Sequence, residues 1–179
     1  EEGALPVFAK KYWGCEAFEK GVSLMHCSGD TYKMYIQFLD ALKIPWIIFS
    51  DYDTPSVQAK VDKIAADLGV DIRSDNRFVL LNASIEGYII SEGYREEFQN
   101  AYFTIKEPEY SDQTKRASER TRVEGLSDSD LKNDKKVKSW KNKMAPLWAQ
   151  SIIEHTDPKK QIPEKIRTLF TILDKKLQP

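Results

Sequence analysis

The sequence predicts an α/β protein, with a parallel sheet flanked by helices on both faces and a helical appendage after it. Three observations predict this. Segments of helical and strand periodicity alternate between residues 5 and 81. An apolar, strand-forming run, Pro45-Trp46-Ile47-Ile48-Phe49, ends abruptly in Ser50-Asp51-Tyr52-Asp53. Beyond residue 106 the chain becomes highly charged and poor in large apolar side chains.

The elements follow in order. Leu5, Phe8, Ala9 and Tyr12 recur at helical spacing, Pro6 fits a first turn, and Gly14 stops the helix. Val22–His26 alternates and reads as a short strand. Ser28-Gly29-Asp30-Thr31 breaks that strand and caps a helix over about residues 32–43, with Met34, Tyr35, Phe38, Leu39 and Leu42 expected inside. The acid-ended strand comes next. Thr54 then caps a helix with Pro55 at its first position, and Gly69 ends it. Phe78–Leu81 is a compact apolar strand.

Ile85–Ile90 reads as a short helix or turn, and a helix follows over about residues 95–105. Residues 107–143 are expected to form solvated helices or partly mobile loops. Order returns over residues 144–155, and a last helix runs from Pro163 to about Lys176. The expected domains are therefore a core over residues 1–106 and an appendage over 107–179. Right-handed crossovers then make the sheet parallel.

At 179 residues with 41% hydrophobic and 31% charged side chains, the chain holds a real core. A net charge of −1 leaves nucleic-acid binding to local basic patches or a metal. Two cysteines without framework spacing point to free thiols in a reducing, cytoplasmic setting. No long apolar span suggests a membrane segment.

Chemistry converges on Asp51 and Asp53. Side chains two apart on a strand point the same way, so both carboxylates are expected at the strand's carboxyl end. Ligands bind there in open α/β sheets, and paired oxygen donors suit Mg²⁺ or Mn²⁺. The competing reading is an Asp-rich turn. Further candidates near the same sheet edge are Glu1 and Glu2, Ser50 beside the pair, and Glu86 and Glu92 after the last strand. Glu1 and Glu2 are equally explained as a dipole-favoured helix start, and Glu86 as a helix cap.

Lys115, Arg116, Arg120, Arg122, Lys132, Lys135, Lys136 and Lys138 are interleaved with acids and read as a solvated face before a DNA-binding one. His26 and His155 lack metal-ligand spacing and read as structural or exposed. Trp140 and Trp148 read as packing anchors.

Together, Glu1-Glu2-Gly3-Ala4-Leu5-Pro6-Val7-Phe8-Ala9, Val22-Ser23-Leu24, Ser28-Gly29, Leu42-Lys43-Ile44-Pro45 and Ser50-Asp51-Tyr52-Asp53 resemble the Toprim domain of the overcoming-lysogenisation-defect (OLD) family nucleases. The resemblance is good over residues 1–53 and thinner after that. It implies a Toprim (Rossmann-like) sheet and metal-dependent DNA cleavage, as an endonuclease or nickase using one or two Mg²⁺ or Mn²⁺ ions. It also implies an ATPase domain elsewhere in the same polypeptide.

By the register of Pro6, Glu1 matches the second glutamate of the family motif. The first glutamate and its strand are expected upstream of residue 1. The resemblance makes Glu1, Asp51 and Asp53 metal ligands, with Ser50 as their small polar companion; Glu86, after the next strand, is the candidate for a further carboxylate. It gives Lys143, in Lys143-Met144-Ala145-Pro146, the role of a charge-stabilising cation, with Lys141 as the alternative. The other readings are topoisomerase- or primase-type Toprim chemistry, and a non-catalytic module that binds DNA or a partner.

Overall fold

The computed structural model describes residues 3–27 and 31–177. The chain divides into two compact units that interleave in sequence. A sheet unit comprises Met25–Ile85 and Glu164–Pro179, and a helical unit comprises Glu1–Leu24 and Glu86–Pro163. The expected boundary between residues 106 and 107 falls inside the helical unit. Among the described residues no helix is long and apolar enough to cross a membrane.

The sheet unit contains α1 (Tyr32–Ala41), β1 (Ile48–Ser50), α2 (Pro55–Asp67), β2 (Phe78–Leu80) and the chain's last helix, α3 (Glu164–Leu177). β1 and β2 pair in parallel, in the register Ile48–Phe78, Phe49–Val79 and Ser50–Leu80. Parallel strands need a crossover, and α2 supplies it. α2 starts as its sequence predicts: Thr54 Oγ1 accepts the Val57 amide at 3.3 Å, and Pro55 occupies the first turn. Gly69, at φ 66°, turns the chain beyond it.

Val61, Ile64 and Ala65 of α2 join Ile36, Trp46, Ile48 and Phe78 in one apolar cluster. Trp46 anchors the entry to β1. Its Nε1 donates to Asp40 Oδ1 at 2.8 Å, and its ring meets Phe78 edge-on at 6.1 Å. Arg77, held in a fork by Asp75, covers the indole at 4.9 Å.

Two expectations fail here. Val22–His26 is irregular, and the sheet has two strands among the described residues. Alternation marks a face, but a strand also needs a neighbour for its N–H and C=O groups, and this segment has no ladder partner. The buried face of α1 differs in part: Leu39 packs against the cluster as expected. Ile36 is buried, while Met34 and Phe38 are each 61% exposed and Leu42 is 54% exposed. α1 carries apolar residues on more than one stripe, so its periodicity admitted either face. Ser28, Gly29 and Asp30, expected to break a strand and begin the cap, lie outside the described residues.

The helical unit contains α4 (Leu5–Trp13), the body of α5 (Ile85–Ser91), α6 (Arg95–Lys106), α7 (Gln113–Glu124), α8 (Asp128–Asn133), α9 (Lys135–Lys138) and α10 (Lys141–Ile153). α10 packs against α4 and α6. Phe8 meets Trp148 with ring centroids 6.1 Å apart, and Trp148 is fully buried. Pro146 sits inside α10. Its ring abuts Gly3, where an added Cβ would come within 2.9 Å of Pro146 Cδ.

Residues 107–143 are folded rather than loose. Val123, Leu131 and Val137 are buried, one from each of α7, α8 and α9. Asp112, Ser127 and Asp134 cap the three helices. A buried carboxylate ties them together. Glu119 Oε1 accepts Tyr102 Oη at 2.7 Å and Arg122 Nη2 at 2.7 Å, and Arg122 Nη1 reaches Asp134 Oδ2 at 2.7 Å. These Arg122 bonds hold the Glu119 carboxyl down at about 2 despite its burial. A solvated reading of this stretch missed that its acids and arginines satisfy one another.

Two outcomes are expected. Gly3→Ala forces a Cβ against a proline ring and lowers stability by roughly 1–3 kcal/mol in urea unfolding. An unchanged midpoint contradicts the close approach. Glu119, depressed below its ordinary 4.5, stabilises the fold above that value, and its contribution is lost as pH falls towards 2. The full effect is roughly 3 kcal/mol. Thermal unfolding measured from pH 6 to pH 2 should show a drop in Tm over that window that Glu119→Gln lacks.

Candidate functional site

β1 ends at Ser50, but its pairing with the next strand continues through the backbone. Leu81 N–H donates to Ser50 O at 2.9 Å, and Ala83 N–H donates to Asp51 O at 3.1 Å. Asp51-Tyr52-Asp53 is therefore a loop fastened at its first residue to the chain leaving β2.

Tyr52, between the two acids, adopts a left-handed backbone with φ 52°. A side chain there is strained by about 1–2 kcal/mol. α2 opposes the strain from two positions. Tyr52 Oη donates to Asp62 Oδ1 at 2.7 Å, and Gln58 Nε2 donates to Tyr52 O at 3.2 Å. The Asp62 hydrogen bond also raises the Tyr52 phenol above its ordinary range. Asn82, at the matching end of β2, is left-handed too, with φ 60°. Two adjacent strand ends thus carry left-handed residues, a conformation that asparagine tolerates and tyrosine does not.

This geometry corrects the reason given for the pair. Alternation across a strand does not set Asp51 and Asp53, because β1 stops before them and Tyr52 between them is left-handed. Their surroundings differ: Asp51 is half-buried with Oδ1 inside, while Asp53 is exposed. Ser50, at 3% exposure, is buried at the strand end.

Three other sequence candidates, Glu86, Glu92 and Lys143, belong to the helical unit. Glu86 begins α5 in the helical unit, with one carboxylate oxygen 3.9 Å from Lys141 Nζ. Glu92 is exposed just past α5. Lys143 is exposed in the first turn of α10, its Nζ 4.7 Å from the centroid of the Trp140 ring. Glu1 and Glu2 lie outside the described residues. His155 Nε2 contacts Glu97 Oε1 at 2.6 Å beside the Tyr94 ring, a structural setting, and His26 is exposed.

Among the described residues no group of three or more His, Cys, Asp or Glu side chains is placed to hold a metal. Asp51 and Asp53 offer two hard oxygen-donor groups without a dedicated cage. That set fits Mg²⁺, which keeps several waters and commonly takes one or two carboxylates together with substrate phosphates.

Sequence reasoning missed the support for Tyr52. The available signal was Gln58 and Asp62, polar residues at i, i+4 on the helix immediately after the acidic loop.

A parallel strand pair with an acidic, strained loop at its carboxyl end defines an α/β class whose ligands meet the sheet at that edge. Residues 1–53 match the family model described as overcoming lysogenization defect protein-like, TOPRIM domain. The matched segment ends on Asp53. The Toprim resemblance read from the sequence thus has independent support over those residues. No curated protein and no solved structure matches the chain significantly.

The strain at Tyr52 has a measurable consequence. Tyr52→Val and Tyr52→Gly both delete the phenol, but only valine keeps the left-handed penalty. In chemical denaturation the valine variant should be less stable than the glycine variant by roughly 1–2 kcal/mol. Equal stabilities refute the strained turn.

Proposed function

We propose that this chain is the nuclease region of an OLD-type protein and cleaves or nicks DNA with a divalent cation. The observation that carries the proposal is the family match ending on Asp53, together with the fastening of that acidic loop at the carboxyl end of β1. In this reading Asp51 and Asp53 are the carboxylates that hold Mg²⁺ or Mn²⁺. Once bound, the ion supplies Lewis-acid polarisation of a phosphoryl oxygen and activation of water. The clamp from Asp62 and Gln58 onto Tyr52 fixes the loop before substrate arrives, so less reorganisation is needed in the reaction.

Glu1 is proposed as a further carboxylate and Ser50 as the small companion on the strength of the resemblance, and Glu86 as another carboxylate from its place after β2. Lys143 is proposed as the cation that stabilises charge developing on the phosphate. Its support is that Gly3, in the matched segment, abuts Pro146, three residues past Lys143. An ATPase domain in the same polypeptide and a cytoplasmic location belong to the same reading. A non-catalytic DNA- or partner-binding module is the second reading. It is favoured by the lack, among the described residues, of a third metal-ligating side chain beside the pair.

Supercoiled plasmid incubated with the chain and Mg²⁺ or Mn²⁺ should be nicked, and EDTA should stop it. Asp51→Ala and Asp53→Ala should each slow nicking by roughly a hundredfold or more. Plasmid left intact with both ions supports the binding-module reading. Nicking at the normal rate by the double variant removes these residues from the site.

A further inference from the structure

Residues 132–143 contain six lysines and one acid, Asp134. The structure shows where that acid is spent. Asp134 caps α9, accepting the amides of Lys136 and Val137 at 3.0 Å each, and pairs with Arg122. The surrounding acids are engaged in the same way. Glu119 is held by Tyr102 and Arg122, Glu107 by Arg120, Asp128 by Arg95, and Asp130 by Ser127. The arginines are paired as well, with Arg116 Nε donating to the Tyr110 carbonyl at 2.7 Å.

What remains outside is lysine. Val137 is buried while Lys135, Lys136 and Lys138 around it are exposed, as are Lys141 and Lys143. Lys132, Lys135, Lys138 and Lys143 have no carboxylate partner among the described residues. Lys136 and Lys141 reach only one each, at 3.5 Å and 3.9 Å.

We propose that the lysine ridge over residues 132–143 is a docking surface for the phosphate backbone of duplex DNA. It rests on the nuclease reading only in its choice of polyanion. Lys135 and Lys138, three apart on one helical turn, lie close enough to meet neighbouring phosphates, and charges within about 10 Å act together at physiological salt. Lysine suits this role: it is a flexible point charge that neutralises phosphate without demanding a fixed geometry. The ridge reads no base sequence. Trp140, the aromatic residue in the segment, already carries the ammonium groups of Lys106 and Lys143 within 4.8 Å of its ring centroid. It is therefore not a bare platform for stacking unpaired bases, and this favours the duplex.

The test is fluorescence anisotropy of a labelled 20-base-pair duplex with the 179-residue chain in EDTA, over a salt series. Lys132→Gln, Lys135→Gln and Lys138→Gln combined should weaken binding by about tenfold or more at 0.1 M salt and reduce the log–log salt slope by about 2–3. Lys11→Gln, Lys20→Gln and Lys63→Gln combined remove equal charge elsewhere and should change neither by more than about twofold. Circular dichroism checks that both triple variants fold.

Equal losses in the two triple variants, or none in the ridge variant, overturn the proposal. So does a ridge effect seen with phosphatidylserine vesicles but not with duplex. Ridge-dependent binding by a chain that never nicks plasmid sinks the nuclease reading and leaves the ridge standing.

Discussion

The parallel pairing of β1 with β2 is the constraint on which the candidate site depends. It spans three residues in each strand. So short a pair has little stability of its own, and here it is held by what packs on it. Trp46 and Phe78 lock edge to face at the strand entrances, and Val61 and Ile64 of the crossover helix close the cluster. The register then carries past the strands, into the bonds from Leu81 to Ser50 and from Ala83 to Asp51. Slipping the register by one residue would move the acidic loop and the Asn82 turn away from each other and exchange inward for outward side chains.

The helical unit is organised differently, by a division of labour between its two kinds of cation. Arginine has a planar fork that meets carboxylates and carbonyls at fixed angles, and Arg95, Arg120 and Arg122 are used that way between helices and loops. Over residues 132–143 lysine, with its strongly hydrated head, stays largely at the surface. A region of mixed composition thereby becomes a structure whose acids are satisfied internally and whose surface charge, over residues 132–143, is largely positive. The whole-chain charge of −1 conceals this, because a sum over residues discards where each partner is.

Strain and satisfaction meet at Tyr52. A left-handed tyrosine is unfavourable in isolation, so the turn persists because Asp62 and Gln58 bond it from the following helix. The acidic pair is thus supported by a helix whose inner face packs the core. Loop and core are thereby joined in this unit through Tyr52.

The sequence by itself determined the local grammar. Thr54-Pro55 starts a helix and Gly14 and Gly69 lie at helix ends because capping, fixed φ and left-handed freedom are properties of single residues and their neighbours. The apolar run before Ser50-Asp51 and the short run at Phe78 became paired strands, and residues 1–53 carried a motif specific enough to be recognised in a family model.

Tertiary structure alone decided the rest. Val22–His26 alternates but found no ladder partner among the described residues. α1 offered two apolar stripes, and the core took the one with Ile36. Whether Glu119 meets water or a buried arginine, and whether the lysines after it are neutralised, depends on which helix comes alongside. Tyr52, between Asp51 and Asp53, is held by the hydrogen bond it donates to Asp62, ten positions away. Pairing partners, buried faces and charge compensation are relations between segments distant in the chain, and local spacing does not encode them.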